Sequence, residues 1–172
     1  MSLAAEESVA RRQRYERARA DVEAAVRSVP VSDRTARMRA VVDALWTHLS
    51  PVGLSWIGFY LPAKAADGSV ELVLGPSRNK PACSPIGLHG ICGQAFRERA
   101  TKVIPDIRVL GPDYIACDPK DLSEAVIPLL DRSGLEPVAI GVLDADSYDL
   151  GWFTDDDARS MTEVLAAGGL PV

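Results

Sequence analysis

The sequence lacks a basic surplus. Its 172 residues hold 19 Lys or Arg against 24 Asp or Glu, a net charge of −5 with both signs interspersed. Nucleic acids and anionic membranes call for a basic patch, so neither is an expected partner. No apolar run approaches the roughly 20 residues of a membrane span. The first 19 residues, MSLAAEESVARRQRYERAR, are charged throughout and lack the apolar region of a secretory signal. A cytoplasmic location follows as the expectation, with thiols at rest in the reduced state. Histidine occurs twice. His48 falls in an amphipathic stretch and His89 precedes a G-I-C-G turn, and neither is assigned a role. Internal repeats and low-complexity segments are absent.

What is present suits one domain. Apolar residues make up 47% of the chain, enough for a proper core, and two domains would leave neither half room for one. Residues 4–29 read as a helix with an apolar stripe at Val22, Ala25, Val26 and Val29, stopped by Pro30. Its charged N-terminal part suits packing against a partner chain, which makes a homodimer compatible with the pattern. Ser32 is the expected N-cap of a second helix, in which Met38, Val41, Val42, Leu45, Trp46 and Leu49 recur at helical spacing. Strands are expected over 54–61, 69–74, 101–104, 124–130 and 138–143. A short helix falls at 93–99, and a last one starts at the N-cap Thr154 and ends at Gly168-Gly169. Two long loops, 75–93 and 105–122, complete the order. The predicted class is α+β: a mainly antiparallel sheet with helices packed on one side and two long loops over a pocket. The division is an N-terminal helix, 1–30, and one domain, 31–172.

Three cysteines, Cys83, Cys92 and Cys117, fall within 35 residues. An odd number cannot pair completely within one chain. Free cysteines are often small core hydrophobes. A zinc site with His89 as fourth ligand is disfavoured, because 8 and 24 residues intervene where tight C-x₂₋₄-C pairs are usual. Cys83 and Cys117 lie in loops, and Cys92 lies at a helix start. A nucleophilic thiol needs access and a lowered pKa, which helix N-termini or nearby donors supply. Two thiols on neighbouring mobile loops can close a disulfide after oxidation.

Carboxylates form a second group. Asp144 and Asp146 are two apart on an extended chain and so share a face. Glu124 opens the preceding strand. If the two strands pair as a hairpin, the three acids converge. Carboxylates held close raise at least one pKa and supply a proton donor near neutral pH, while the others bind an ammonium group. Asp at strand ends is also common turn chemistry. Trp56 and Tyr60 share one face of the first strand and can wall the pocket; plain core aromatics are the alternative.

In order, S-W-I-G-F-Y-L, L-V-L-G-P, K-P-A-C, G-I-C-G-Q-A, Y-I-A-C-D, L-S-E-A-V-I-P-L and G-V-L-D-A-D-S followed by F-T-D-D-D resemble the blocks of the free methionine-(R)-sulfoxide reductases. The likeness runs from about Ala36 to Leu165. It departs from the pattern in a stretch one residue shorter between Cys83 and Cys92 and a longer turn at 131–136. The resemblance implies a single GAF-type domain that reduces free methionine (R)-sulfoxide with a thioredoxin-like reductant and needs no metal or organic cofactor. It implies Cys117 as nucleophile, Cys83 as resolving thiol and Cys92 in a secondary role. It implies Glu124, Asp144 and Asp146 as the acids of the substrate pocket, with Trp56 and Tyr60 as its aromatic wall. The rival reading is a non-catalytic GAF domain that senses a small molecule. That reading leaves three cysteines unexplained and expects an output domain, for which 172 residues leave no room. A dimerisation module explains neither the cysteines nor the carboxylates.

Overall fold

A computed structural model describes residues 3–111, 114 and 117–172. Parts of the loop expected at 105–122, including the Ile and Ala of Y-I-A-C-D, lie outside the described residues. Along the chain the elements are α1 (Leu3–Ala25), α2 (Arg34–Leu49), β1 (Leu54–Lys64), β2 (Val70–Arg78), α3 (Ile91–Glu98), β3 (Lys102–Ile104), β4 (Ser123–Asp131), β5 (Val138–Ser147) and α4 (Asp155–Ala167). Short 3₁₀ turns occupy Ser50–Val52 and Ile107–Leu110.

The strands form one open antiparallel sheet in the order β2-β1-β5-β4-β3. The α+β class therefore holds: among the described residues α2, α3 and α4 pack on the five strands, and α1 packs on α2 and α4. Period-2 alternation sorts the side chains into two layers. Ile57, Phe59, Ala125, Ile127, Leu129, Leu143 and Ala145 join Tyr15, Val22, Leu45, Leu49, Met161 and Leu165 in the main core, beneath α1, α2 and α4. The intervening positions Trp56, Tyr60, Val126 and Val142 pack instead with Leu72, Ile91, Cys92 and Ala95. That second layer carries α3, so one short helix belongs to the loop side rather than to the side of the other three. Its apolar residues Ile91 and Ala95 are covered only there.

Local chemistry accounts for the element ends. The N-cap of α2 is Asp33 and not Ser32: the Asp33 carboxylate accepts from the Ala36 N–H at 3.0 Å, three residues into the helix. Thr154 caps α4 as expected and forms a reciprocal box with Asp157. Asp157 also accepts from Tyr15 Oη at 3.1 Å and from Arg11 Nη1 at 3.2 Å, which ties α1 to α4. Arg11 stacks its guanidinium 4.3 Å above the Trp152 ring. The helix α1 stops at Ala25, before Pro30, and turns carry the chain onward. Four strands run past their expected ends: β1 continues to Lys64, and β4 gains one residue at each end. β2 continues through Gly75 to Arg78, and β5 continues to Ser147, so Asp144 and Asp146 lie within the strand.

Candidate active site

The hairpin of β4 and β5 lines up the acids. Glu124 pairs with Asp146 and Val126 with Asp144; across the other edge of β5, Trp56 pairs with Asp146 and Gly58 with Asp144. Cross-strand partners share a face, so the three carboxylates and the two aromatics converge on the loop side. All five border one cavity of about 40 Å³, together with Cys92, Tyr114, Cys117 and Asp121. The Trp56 and Tyr60 rings stand 6.0 Å apart. Gly58 between them carries no side chain for a reason of space: a Cβ there would lie 2.5 Å from Trp56 Cη2 and 2.7 Å from Ser77 Cβ. The indole lies over the bare strand.

Two loops and α3 roof the cavity. The loop from Asn79 to Gly90 is pinned to β2 by paired backbone bonds between Leu72 and Ile86, at 2.9 and 2.8 Å. Tyr60 Oη donates to the Cys83 carbonyl at 2.8 Å. Gly93 lets the same loop cross the first turn of α3, since a Cβ at that position would sit 2.3 Å from Leu88 Cα. This close crossing sets Cys92 against Asp144, with the thiol sulfur within 4.8 Å of a carboxylate oxygen. Cys83 and Cys117 are joined in a disulfide with their Cα atoms 5.5 Å apart, an ordinary separation for such a bond. Cys117 borders the cavity, and among the described residues Cys83 is not in its lining. Cys92 is the free thiol of the three and is buried.

Burial dominates the electrostatics. It pushes the Asp144 carboxyl up to about 7 and holds Glu124 and Asp146 well above the usual carboxylate range, with mutual repulsion adding to the shift of the latter two. Burial likewise raises the Cys92 thiol, with the neighbouring acids reinforcing it. The helix N-terminus that the sequence offered as an activating feature is outweighed here, and Cys92 is a neutral thiol. Glu124 and Asp144 are 4% and 7% exposed, yet Glu124 Oε2, Asp144 Oδ1 and Trp56 Nε1 have no hydrogen-bond partner. Buried polar atoms without partners are costly. No Lys, Arg or His borders the cavity among the described residues. The site therefore presents acceptors that call for a cation or a donor, one indole N–H that calls for an acceptor, and a thiol pair able to cycle between reduced and oxidised forms.

Sequence reasoning missed two lining residues with titratable side chains, Tyr114 and Asp121. Tyr114 borders the cavity, and burial with the three acids pushes its phenol up. Asp121 accepts from Ser55 Oγ at 3.0 Å, and burial raises its carboxyl to about 6. Tyr114 stands in the same Y-I-A-C-D block as Cys117, which is the signal that points to it. Asp121 lies in an irregular segment where no periodicity indicates a facing.

No family model matches the chain. Among solved structures it is similar to the free methionine-R-sulfoxide reductase of Neisseria meningitidis in complex with its substrate, at 33% identity and a TM-score of 0.75 over 90% of this chain and 85% of that one. It is 39% identical over 115 residues to the free methionine-R-sulfoxide reductase of Escherichia coli, 66% of this chain and 63% of that one. It is 38% identical over 111 residues to GAF domain-containing protein A of Dictyostelium discoideum, 64% of this chain and 65% of that one. The chain thus spans somewhat under two thirds of the length of these curated relatives, while it covers most of the Neisseria structure. The sheet order and the helices on it are those of a GAF domain.

Proposed function

Because this chain belongs to the free methionine-R-sulfoxide reductase family, we propose that it reduces free L-methionine (R)-sulfoxide to L-methionine, with Cys117 as the nucleophile. The observation that carries this reading is the placement of Cys117, one half of a closed disulfide, at the border of a cavity lined by Glu124, Asp144 and Asp146 and, among the described residues, by no basic side chain. In the reduced enzyme the Cys117 thiolate attacks the sulfoxide sulfur. The S–O bond breaks as a protonated carboxyl of Glu124, Asp144 or Asp146 delivers its proton to the departing oxygen, since expelling oxide would be prohibitive. The protonated oxygen bonds to the Cys117 sulfur as the bond between the two sulfurs breaks, methionine leaves with that electron pair, and Cys117 is left as a sulfenic acid. The Cys83 thiol attacks that sulfur, water departs, and the disulfide forms. A thioredoxin-like dithiol reduces it by exchange. Carboxyls pushed toward neutral pH suit the donor role. Cys92, a neutral buried thiol, is a poor attacking group and is given a secondary role.

The same carboxylates explain selectivity. The α-ammonium of a free amino acid satisfies them through charge-assisted hydrogen bonds, and Trp56 Nε1 has its hydrogen free for a ligand oxygen. Acylating the amine leaves the acids unpaired, at a cost on the order of 3–5 kcal/mol. The test is an NADPH-coupled assay with thioredoxin and thioredoxin reductase on free, N-acetylated and peptide-bound methionine sulfoxide, with both sulfur epimers. Consumption of NADPH with the free R epimer, and rates at least about 100-fold lower with the N-acetylated form, are expected. Equal rates on free and acetylated substrate would remove the ammonium from the argument. No NADPH consumption with any sulfoxide would leave a sensor domain as the better reading.

A further inference from the structure

We propose that Cys92, Glu124 and Asp144 form a site for a thiophilic divalent cation of the zinc type, which occupies the pocket when substrate is absent and competes with the substrate's ammonium group. The three residues come from three elements: the first turn of α3, β4 and β5. The Cys92 sulfur and one carboxylate oxygen from each acid lie within 4.8 Å of one another, and all three residues are buried. Zinc takes thiolate at about 2.3 Å and carboxylate at about 2.0–2.2 Å, so small side-chain rotations bring the three atoms onto one ion. Asp146, on the same face, or a water completes a tetrahedron.

Two further observations point to a cation there. Glu124 Oε2 and Asp144 Oδ1 are buried without any hydrogen-bond partner, and no basic side chain borders the cavity among the described residues. A cavity of about 40 Å³ has room for an ion with a water or two. The donor set selects the metal. Three ligands including one sulfur suit zinc or cobalt and not magnesium or calcium, which take six or more oxygens. The set also differs from a site built on all three cysteines, since Cys83 and Cys117 are tied to each other. Binding is a simple exchange: the Cys92 S–H bond breaks, the sulfur bonds to the ion, and the proton leaves to solvent, together with any proton held by the two carboxyls.

This site shares the substrate pocket but does not depend on turnover, and its test reads the metal directly. The oxidised protein, with Cys83–Cys117 closed, has Cys92 as its single free thiol. Titrating it with Co²⁺ is expected to give one equivalent of binding, a near-ultraviolet thiolate-to-cobalt charge-transfer band and the visible bands of a tetrahedral ion, all removed by one equivalent of Zn²⁺. Cys92→Ser should abolish the charge-transfer band. Glu124→Gln should keep the thiol and weaken binding about 10- to 100-fold. Circular dichroism shows whether each variant is folded, and because the two remove different ligands, misfolding of one leaves the other decisive. Free methionine sulfoxide should displace the ion. An oxidised protein without the charge-transfer band, or the same band in Cys92→Ser, overturns the proposal. Failure of the coupled reductase assay would strike the catalytic reading and leave this one standing.

Discussion

Along β5, Leu143 and Ala145 turn toward the helices while Asp144 and Asp146 turn toward the loops, and the neighbours repeat the split: Ile57 and Phe59 against Trp56 and Tyr60, Ala125 and Ile127 against Glu124 and Val126. Every second residue serves a different purpose. On the helix side the strands bury hydrocarbon that interdigitates with three helices, and its stability comes from packing. On the loop side the same strands bury carboxylates whose oxygens lack partners, an arrangement that costs stability and makes sense only with a ligand to satisfy it. The contrast shows where this fold stores its free energy and where it surrenders some of it for chemistry.

Breaking the loop side first at its sulfur should have the largest effect. Cys117→Ser is expected to abolish turnover, because a hydroxyl is far too weakly acidic to replace the thiolate. Cys83→Ser should slow recycling more than the first turnover, which a single-turnover assay separates from steady-state rates. Glu124→Gln, Asp144→Asn and Asp146→Asn come next. A proton donor is worth about 10²- to 10⁴-fold in rate, and the fold should survive, as checked by circular dichroism. Losses below about threefold at all three positions would reduce the carboxylates to structural residues.

The helix side gives the converse experiment. Phe59 is fully buried one residue from Tyr60, and Phe59→Ala should cost about 3–5 kcal/mol in denaturant unfolding while the surviving folded molecules keep their rate. A rate that fell with the stability would show that the two faces are not separable.

The smallest effect is a dependence of stability on pH. Burial raises the Asp144 carboxyl to about 7 in the folded protein, whereas the unfolded chain releases that proton near pH 4. Between those values the folded state holds protons that the unfolded state does not, so stability falls as pH climbs from about 4 to about 7. Asp144→Asn removes that dependence. Its melting temperature relative to the parent should rise by a few degrees from pH 5 to pH 8, measured by thermal denaturation at fixed salt. A constant difference would mean that Asp144 does not titrate in that window.

Much of this division was legible in the sequence because it rests on alternation. The apolar partners of β1, β4 and β5 and the convergence of Glu124, Asp144 and Asp146 follow from period 2 and one hairpin. Other features rest on tertiary contacts that no periodicity encodes. α3 sits on the loop side because its short apolar stripe meets Trp56 and Val142, and a stripe does not say which face of a sheet it will cover. Asp121 and Tyr114 reach the cavity from irregular chain. β2 continues through Gly75-Pro76, which read as a break, because an edge strand needs hydrogen bonds on one side only. Asp33 takes the cap from Ser32 by a register of one residue.

The Cys83–Cys117 bond closes a loop whose ends are 34 residues apart, a stretch that includes α3 and β3. Chain statistics give such a closure about 4 kcal/mol of denatured-state entropy at 25 °C. Under the proposed cycle, each turnover ties this knot and each reduction unties it. The polypeptide is then most constrained when it has spent its thiols and least constrained when it must admit the next substrate, so the reductant that restores reactivity also restores the freedom of the roof.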